Sequence, residues 1–356
     1  MESLPVVAQV LIFVGAAAIV WIAGTTLSHT TDVLSARLGI GQAVGGVILL
    51  AIATNLPEIA ITASAAVAHN LSIAVGNILG GIAIQTVVLA LLDAVGFPKG
   101  SKPLTYQSAS LVLVLEGALV VAMLVLVVIG TQLSSSVIAF RLTPPVFLLA
   151  LVWVVGVWLL SRADKGLPWH ADGEAPDGQP EPKGHSQGKK EAKATERGHR
   201  TARVAGAFGV AAAATLAGGV LLEQSGNGIA GHLGMNGAVF GATFLAGATA
   251  LPEMSTGLTS VRMADYQLAV SDIFGGNAFL PVLFLLATAL SGEAVLPAAH
   301  RTDIYLTSLG ALLTAIYIWG LIARPQRRIL RMGIDSLLVV IAYVIGIVGL
   351  FAVARG

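Results

Sequence analysis

Ten runs of about 20 mostly apolar residues follow one another along the 356-residue chain, and they constrain its fold more than any other feature. A run of that length crosses the hydrocarbon core of a bilayer as a helix. The runs cover residues 5–28, 42–67, 71–94, 106–130, 143–161, 203–223, 237–261, 266–290, 303–323 and 333–353. Only 11 % of the residues are charged, against about 25 % in soluble domains. We therefore predict an all-α polytopic membrane protein with ten transmembrane helices.

One polar segment, residues 162–202, separates five runs from the other five. Gly, Pro, His, Lys, Glu and Ser dominate it, and its apolar residues are too few to form a core. We predict a disordered cytoplasmic linker between a first five-helix repeat, 1–161, and a second, 203–356. The chain contains no cysteine, which excludes disulfides and thiolate metal sites.

The second and seventh runs carry the same motif at an offset of 195 residues. Ala53-Thr54-Asn55-Leu56-Pro57-Glu58 corresponds to Ala248-Thr249-Ala250-Leu251-Pro252-Glu253. Without gaps, residues 43–83 and 238–278 share 16 of 41 positions, and the identities include Thr, Pro, Glu and Gly. These matches indicate an internal duplication.

The basic residues predict that the two repeats have opposite orientations. With the N-terminus outside the cytoplasm, 17 of the 20 Lys and Arg residues fall on the cytoplasmic side, as the positive-inside rule favours. Because each repeat has five spans, the second starts on the opposite side from the first. We predict two inverted repeats in the cell (inner) membrane, with both termini extracytoplasmic. Inverted repeats with broken helices at the midplane are typical of transporters.

Glu58 and Glu253 lie near the middle of their predicted spans, where a carboxylate is costly and usually functional. Two converging carboxylates repel each other unless a cation or protons lie between them. The alternative is two separate, protonated, structural glutamates. Pro57 and Pro252 interrupt the helices and free backbone carbonyls, which suits a hard cation.

The expected ligand shell extends along the same segments. Thr54 and Thr249 lie one turn before the glutamates and offer hydroxyl or carbonyl oxygens, unless they bond back to their own helices. Ala53 and Ala248 offer only carbonyls. Asn55, Asn77, Gln85, Asp272 and Asn277 are further oxygen-bearing candidates at membrane depth.

Three acidic residues and one polar cluster receive different interpretations. Glu116 is interpreted as a proton relay, a pairing partner or a neutral structural group. Asp93 and Glu223 are predicted to be interfacial. His29 to Asp32 are predicted to end the first span or to line a vestibule.

The duplicated segments resemble the calcium/cation antiporter superfamily, which includes sodium/calcium and proton/calcium exchangers. Each of the family's two repeats carries the motif Gly-Thr-Ser-Leu-Pro-Glu, followed by the motif Gly-Asn-x-x-Gly-Ser-Asn. In this chain the two repeated segments are residues 43–86 and 238–281. The second motif lies at Gly76 to Ile82 and at Ser271 to Asn277. The chain is identified as a divergent member. The resemblance implies alternating access of Ca²⁺ at the two glutamates, exchanged for Na⁺ or H⁺.

The motifs depart from the family pattern at the positions of several hydroxyl groups. Asn55 and Ala250 replace the hydroxyl residue before Leu-Pro-Glu, and Gly81 and Gly276 replace the serine of the second motif. Gln85 and Leu280 occupy another family ligand position. These changes leave the counter-ion open between Na⁺ and H⁺.

Three alternatives to Ca²⁺ antiport remain. They are a monovalent cation exchanger such as Na⁺/H⁺, a non-transporting cation sensor, and an intramembrane hydrolase with a glutamate pair. No nucleophile elbow or phosphate loop supports the hydrolase. We expect metal cations and lipid as the partners, with no nucleic acid and no cofactor.

Overall fold

A computed structural model describes residues 4–38, 52–98, 100–133, 142–163, 166–168 and 201–355. Several predictions fall outside these residues: positions 42–51 of the second span, most of the 162–202 linker, Lys99 and Arg141, and the side chains of Asp32 and Arg37.

The described chain is almost entirely helical. Its helices are α1 (Val6–Leu38), α2 (Leu56–Val67), α3 (Leu71–Val95), α4 (Leu104–Ser108), α5 (Leu111–Thr131), α6 (Pro144–Ala163), α7 (Thr201–Leu233), α8 (Gly237–Phe240), α9 (Ala246–Thr249), α10 (Leu251–Arg262), α11 (Tyr266–Phe279), α12 (Leu283–Ser291), α13 (Arg301–Ala323) and α14 (Ile334–Arg355). A π-helical turn, Gly241–Leu245, joins α8 to α9, and a 3₁₀ turn, Leu280–Val282, joins α11 to α12. Strands β1 (Arg328–Ile329) and β2 (Met332–Gly333) form a small hairpin.

Eight of the ten predicted spans appear as apolar helical stretches of 20 or more residues in the described chain. The other two, 42–67 and 237–261, contain the proline motif and are broken there. Pro57 and Pro252 occupy the second positions of α2 and α10. Since proline has no N–H, the carbonyls of Ala53 and Ala248 cannot receive the usual bond from four residues ahead.

Two spans are longer than the apolar runs predict. α1 and α7 have 33 residues each, so α1 runs past the His29 to Asp32 cluster, which lies inside the helix instead of ending it. Polar hydroxyls within these longer helices bond back to their own backbone. Thr30 donates to the Thr26 carbonyl at 2.8 Å, and Ser225 donates to the Leu221 carbonyl.

The duplication is visible in the backbone. α2 and α10 have 12 residues each and are offset by 195. The turns after them have equivalent residues with positive φ, His69 at 54° and Ala264 at 60°. The N–H groups of Asn70 and Asp265 then close these turns with equivalent 2.8 Å hydrogen bonds. Equivalent segments of the two repeats therefore fold alike.

Contacts between equivalent helices show the inversion. Gly218 of α7 packs on Val20 of α1, and Gly228, farther along α7, packs on Gln9, nearer the start of α1. α1 and α7 therefore run antiparallel. In contrast, α3 runs parallel to the segment from α8 to the π turn, because Gly76 packs against Ala238 and Gly80 against Ala242. Glycines allow these close approaches. Two inverted repeats account for both the antiparallel and the parallel helix pairs.

The loops gather at two ends of the helix bundle. At one end the Phe97 and Tyr266 rings lie 5.2 Å apart, and Lys102 donates to Gln326. Among the described residues, six basic ones lie at this end, which we call the basic end: Lys102, Arg262, Arg324, Arg327, Arg328 and Arg331. At the opposite end, His69 pairs with Glu293 at 2.7 Å. The cytoplasmic placement of the basic end stays a prediction.

Candidate cation-binding site

The two motif glutamates meet in the interior of the bundle. Glu58 and Glu253 are the third residues of α2 and α10, and they are 0 % and 1 % exposed. The Glu253 carboxylate lies close enough to those of Glu58 and Asp272 for electrostatic interaction. Three acidic groups from the two repeats thus share one buried region. Neither motif glutamate faces outward, where acyl chains would surround it.

Glu58 has two polar neighbours from other helices. Gln85 of α3 donates its Nε2 to Glu58 Oε1 at 3.4 Å. Thr249, from the other repeat, also brings its hydroxyl within reach of the Glu58 carboxylate. The same hydroxyl lies 3.2 Å from the Ala246 carbonyl oxygen, which is a second acceptor for it. Thr54, the equivalent threonine, is buried at 1 % exposure.

Asp272 has a partner that the sequence analysis did not single out. The Thr256 hydroxyl lies 3.1 Å from Asp272 Oδ2 and 3.2 Å from the Glu253 carbonyl oxygen. Thr256 follows Glu253 by three residues, so it lies on the same face of α10. That spacing was available in the sequence and could have identified it. Its hydroxyl connects the Glu253 and Asp272 segments.

Asn277 connects α11 to α3 at equivalent positions of the two repeats. Its Nδ2 lies 3.2 Å from Thr86 Oγ1 and 3.4 Å from the Ile82 carbonyl oxygen. Ile82 and Asn277 are equivalents at the 195-residue offset, so the two helices cross near the pseudo-twofold axis. The interhelical hydrogen bond accounts for the amide nitrogen of Asn277. Asn77, one of the predicted ligands, is fully buried on α3.

Asn55 and Gly276 explain two departures from the family motif together. A Cβ atom at Gly276 would lie 2.9 Å from Asn55 Nδ2, which is too close for an ordinary contact. The Asn55 amide therefore occupies space that a side chain at position 276 would need. The larger residue at position 55 therefore requires a residue without a side chain at position 276.

Several buried oxygens in this region accept no hydrogen bond from any described residue. They are Glu58 Oε2, both carboxylate oxygens of Glu253, Asn77 Oδ1, Gln85 Oε1 and Asn277 Oδ1. Buried polar atoms are normally satisfied, so each such oxygen needs a reason. Carboxylate, amide and carbonyl oxygens are the ligands that Ca²⁺ prefers. The buried carbonyls of Ala53 and Ala248 adjoin the same glutamates.

The described residues contain no group of three or more His, Cys, Asp or Glu side chains arranged to hold a metal ion. A cation bound between the glutamates would therefore also need threonine, amide or backbone oxygens. This mixed donor set is the one that the sequence predicts around the proline motifs.

Three further acidic residues from the sequence analysis lie outside the glutamate pair. Glu116, on α5, accepts a 2.9 Å hydrogen bond from Ser271, the neighbour of Asp272, so it is a pairing partner of α11. Asp93 and Glu223 are buried inside the protein, at 0 % and 2 % exposure, and their placement at the membrane interface stays a prediction. The β1–β2 hairpin covers Asp93, whose carboxylate accepts from Gly333 N. α7 continues ten residues beyond Glu223.

Known proteins resemble the chain over almost its whole length. The inner membrane protein YrbG of Escherichia coli (strain K12) is 26 % identical over 327 residues, covering 90 % of this chain and 91 % of the relative. The putative antiporter CaxA of Alkalimonas amylolytica is 24 % identical over 339 residues, covering 95 % and 97 %.

Solved structures confirm the fold. The sodium-calcium exchanger NCX_Mj superposes with a TM-score of 0.58 at 15 % identity, covering 97 % of this chain and 99 % of that one. The H⁺/Ca²⁺ exchanger CAX superposes with a TM-score of 0.65 at 12 % identity, covering 99 % and 91 %. The prediction of an all-α polytopic membrane protein with an exchanger fold is confirmed.

The family comparison covers both repeats and omits most of the predicted linker. The model of the family described as sodium/calcium exchanger protein matches residues 8–169 and 203–352. This match confirms the predicted resemblance and the prediction of a transporter instead of an enzyme. The chain belongs to the sodium/calcium exchanger family and is a multi-pass membrane protein that transports cations.

Proposed function

We propose that this protein is a Ca²⁺ antiporter that exchanges Ca²⁺ for Na⁺ or H⁺ at a site between Glu58 and Glu253. The observation that carries the proposal is the approach of two buried glutamates from equivalent positions of inverted repeats. Three of their four carboxylate oxygens accept no hydrogen bond from a described residue. A divalent cation supplies the charge that such a pair needs.

The neighbouring oxygens complete the proposed shell. Thr54 and Thr249, with the carbonyls of Ala53 and Ala248, are the next ligands beside the glutamates. Asn55, Asn77, Gln85, Asp272 and Asn277 form an outer set that shapes the site. Asp272 corresponds to Asn77 in the repeat, which makes the second half of the site more acidic than the first.

We further propose that α1 and α7 move together over α2 and α10 to expose the site to each side in turn. Two equivalent contacts support this motion. Gly24 of α1 packs on Pro252, and Gly219 of α7 packs on Pro57 and Ala60. Each long helix thus crosses the proline beside a motif glutamate through a glycine, which gives a smooth surface for sliding. The basic end faces the cytoplasm in this proposal, as does the 162–202 linker.

Counterflow in proteoliposomes tests the function. We expect the wild-type protein to take up ⁴⁵Ca²⁺ against an outward Na⁺ gradient or an outward H⁺ gradient, with each gradient applied separately. Glu58→Gln and Glu253→Gln should each abolish uptake, because one carboxylate cannot balance a divalent cation. Glu293→Gln is the matched control, since Glu293 is exposed at the opposite end.

Three results decide against the proposal. Uptake at the wild-type rate in either site variant would remove the two-glutamate site. Na⁺/H⁺ exchange without Ca²⁺ movement would indicate a monovalent cation exchanger on this fold. Cation binding without counterflow under any gradient would indicate a sensor.

A further inference from the structure

Another buried carboxylate lies where a long helix crosses the core. Glu223 of α7 is 2 % exposed, and its Oε2 accepts a 2.8 Å hydrogen bond from the Ser64 hydroxyl of α2. Among the described residues no basic side chain pairs with Glu223, so a neutral hydroxyl is its partner there. A buried carboxylate is costly unless a cation or a proton accompanies it.

The contacts of α7 with α2 place Glu223 beyond Glu58, toward the opposite end of the bundle. One turn earlier, Gly219 rests on Pro57 and Ala60, next to Glu58. Glu223, four residues later on α7, contacts Ser64, four residues after Ala60 on α2. α7 and α2 therefore run parallel here. Ser64 follows Glu58 by six residues, a rise of about 9 Å along a helix. Glu223 therefore lies between Glu58 and the opposite end of the bundle.

The equivalent positions of the other repeat carry no carboxylate. At the 195-residue offset, Ser28 of α1 corresponds to Glu223, and Thr259 corresponds to Ser64. Both equivalents carry only hydroxyls. The side chains described on the packed faces of α1 and α2 near Glu223 add no further acidic or basic partner to it. The two equivalent positions, Glu223 and Ser28, thus differ by one negative charge.

We propose that Glu223, with Ser64, forms an outer cation-binding position that takes the ion from the opposite end before it reaches Glu58, and that the route from the basic end lacks an equivalent. The inference rests on the proposed exchange function. It adds a difference in cation affinity between the two ends of the bundle, which inverted repeats alone would not produce. Cations approaching from the opposite end meet a fixed carboxylate first, whereas those from the basic end meet hydroxyls.

Glu223→Gln tests this position, because glutamine keeps an acceptor for Ser64 and removes only the charge. Ca²⁺ uptake is measured in right-side-out and in inverted membrane vesicles, so that each end of the bundle faces the bath in turn. We expect the half-saturating Ca²⁺ concentration to rise roughly fivefold to twentyfold where the opposite end faces the bath. Where the basic end faces the bath, it should change less than about twofold.

Two control variants accompany the test. Ser28→Ala alters the equivalent position of the other route, and Glu293→Gln removes an exposed carboxylate from the same end. Neither should shift the half-saturating concentration in either vesicle. Ser64→Ala should shift it in the same direction as Glu223→Gln, by a smaller factor.

The outcomes separate the inference from the proposed function. An unchanged half-saturating concentration in Glu223→Gln overturns the outer position, and so does an equal rise or an equal loss of uptake on both sides. Absence of Ca²⁺ counterflow in wild-type vesicles of both kinds contradicts the proposed function itself.

Discussion

The contacts of Gly24 and Gly219 with the motif prolines make the sliding surface testable. In Gly24→Ala the new methyl carbon would lie 2.6 Å from Pro252 Cβ, and in Gly219→Ala it would lie 2.7 Å from Ala60 Cβ. Ordinary carbon contacts are about 3.5–4.0 Å, so each long helix would have to move away from the core by about 1 Å. The two variants strain equivalent places in the two repeats.

The cost can be estimated from overpacking. Inserting a methyl group into a close-packed contact costs about 1–3 kcal/mol. Replacing a helical glycine with alanine returns about 0.5–1 kcal/mol. The net loss centres on about 1 kcal/mol, which slows turnover by roughly fivefold if it enters the barrier for sliding. Both variants should also lower the thermal midpoint of the detergent-purified protein.

Glycines on the same helices provide matched controls. Gly15 of α1 and Gly206 of α7 have no described atom within 4 Å of a new Cβ. Gly15→Ala and Gly206→Ala should therefore keep the wild-type turnover and lose no stability. The assay is initial ⁴⁵Ca²⁺ uptake at saturating Ca²⁺, normalised to reconstituted protein. If Gly24→Ala and Gly219→Ala match these controls in turnover and thermal midpoint, the sliding surface is wrongly placed.

Two further predictions concern packing beside the site and at the basic end. Gly276→Ser should weaken Ca²⁺ uptake because the new side chain meets the Asn55 amide. Adding Asn55→Ser to the same chain should restore uptake. Additive losses in this double-mutant cycle would refute the contact between positions 55 and 276. Arg328→Ala should lower the stability of the folded protein by about 3–5 kcal/mol, because it leaves the buried Asp93 carboxylate without its cation. Thermal unfolding measures this loss, and Arg327→Ala, an exposed neighbour, should show none.

Local sequence features predict much of the architecture. Apolar run length predicts the spans, and the repeated Thr-x-Leu-Pro-Glu motif predicts the broken helices and their burial. The helix ends are less predictable, because hydropathy reports contact with lipid and not helix continuity. α1 and α7 therefore extend past the ends of their apolar runs, with polar residues such as Thr30 bonded back onto the helix.

The site was predictable where it depends on one segment and unpredictable where segments meet. Glu58 and Glu253 follow from the motif, and Thr256 could have been found from its spacing to Glu253. The contacts of Asn55 with Gly276 and of Ser64 with Glu223 join residues far apart in the chain. No periodicity within one helix encodes such pairs, because they depend on how the helices cross.

The position of the bound ion tests the central claim most directly. Crystals of the wild-type protein soaked in Sr²⁺, a heavier stand-in for Ca²⁺, can be measured for anomalous scattering. We predict one strong anomalous peak between the carboxylates of Glu58 and Glu253, and its loss in Glu253→Gln. An ion bound elsewhere in a transport-competent protein, or a peak that persists at full strength in Glu253→Gln, would contradict the account.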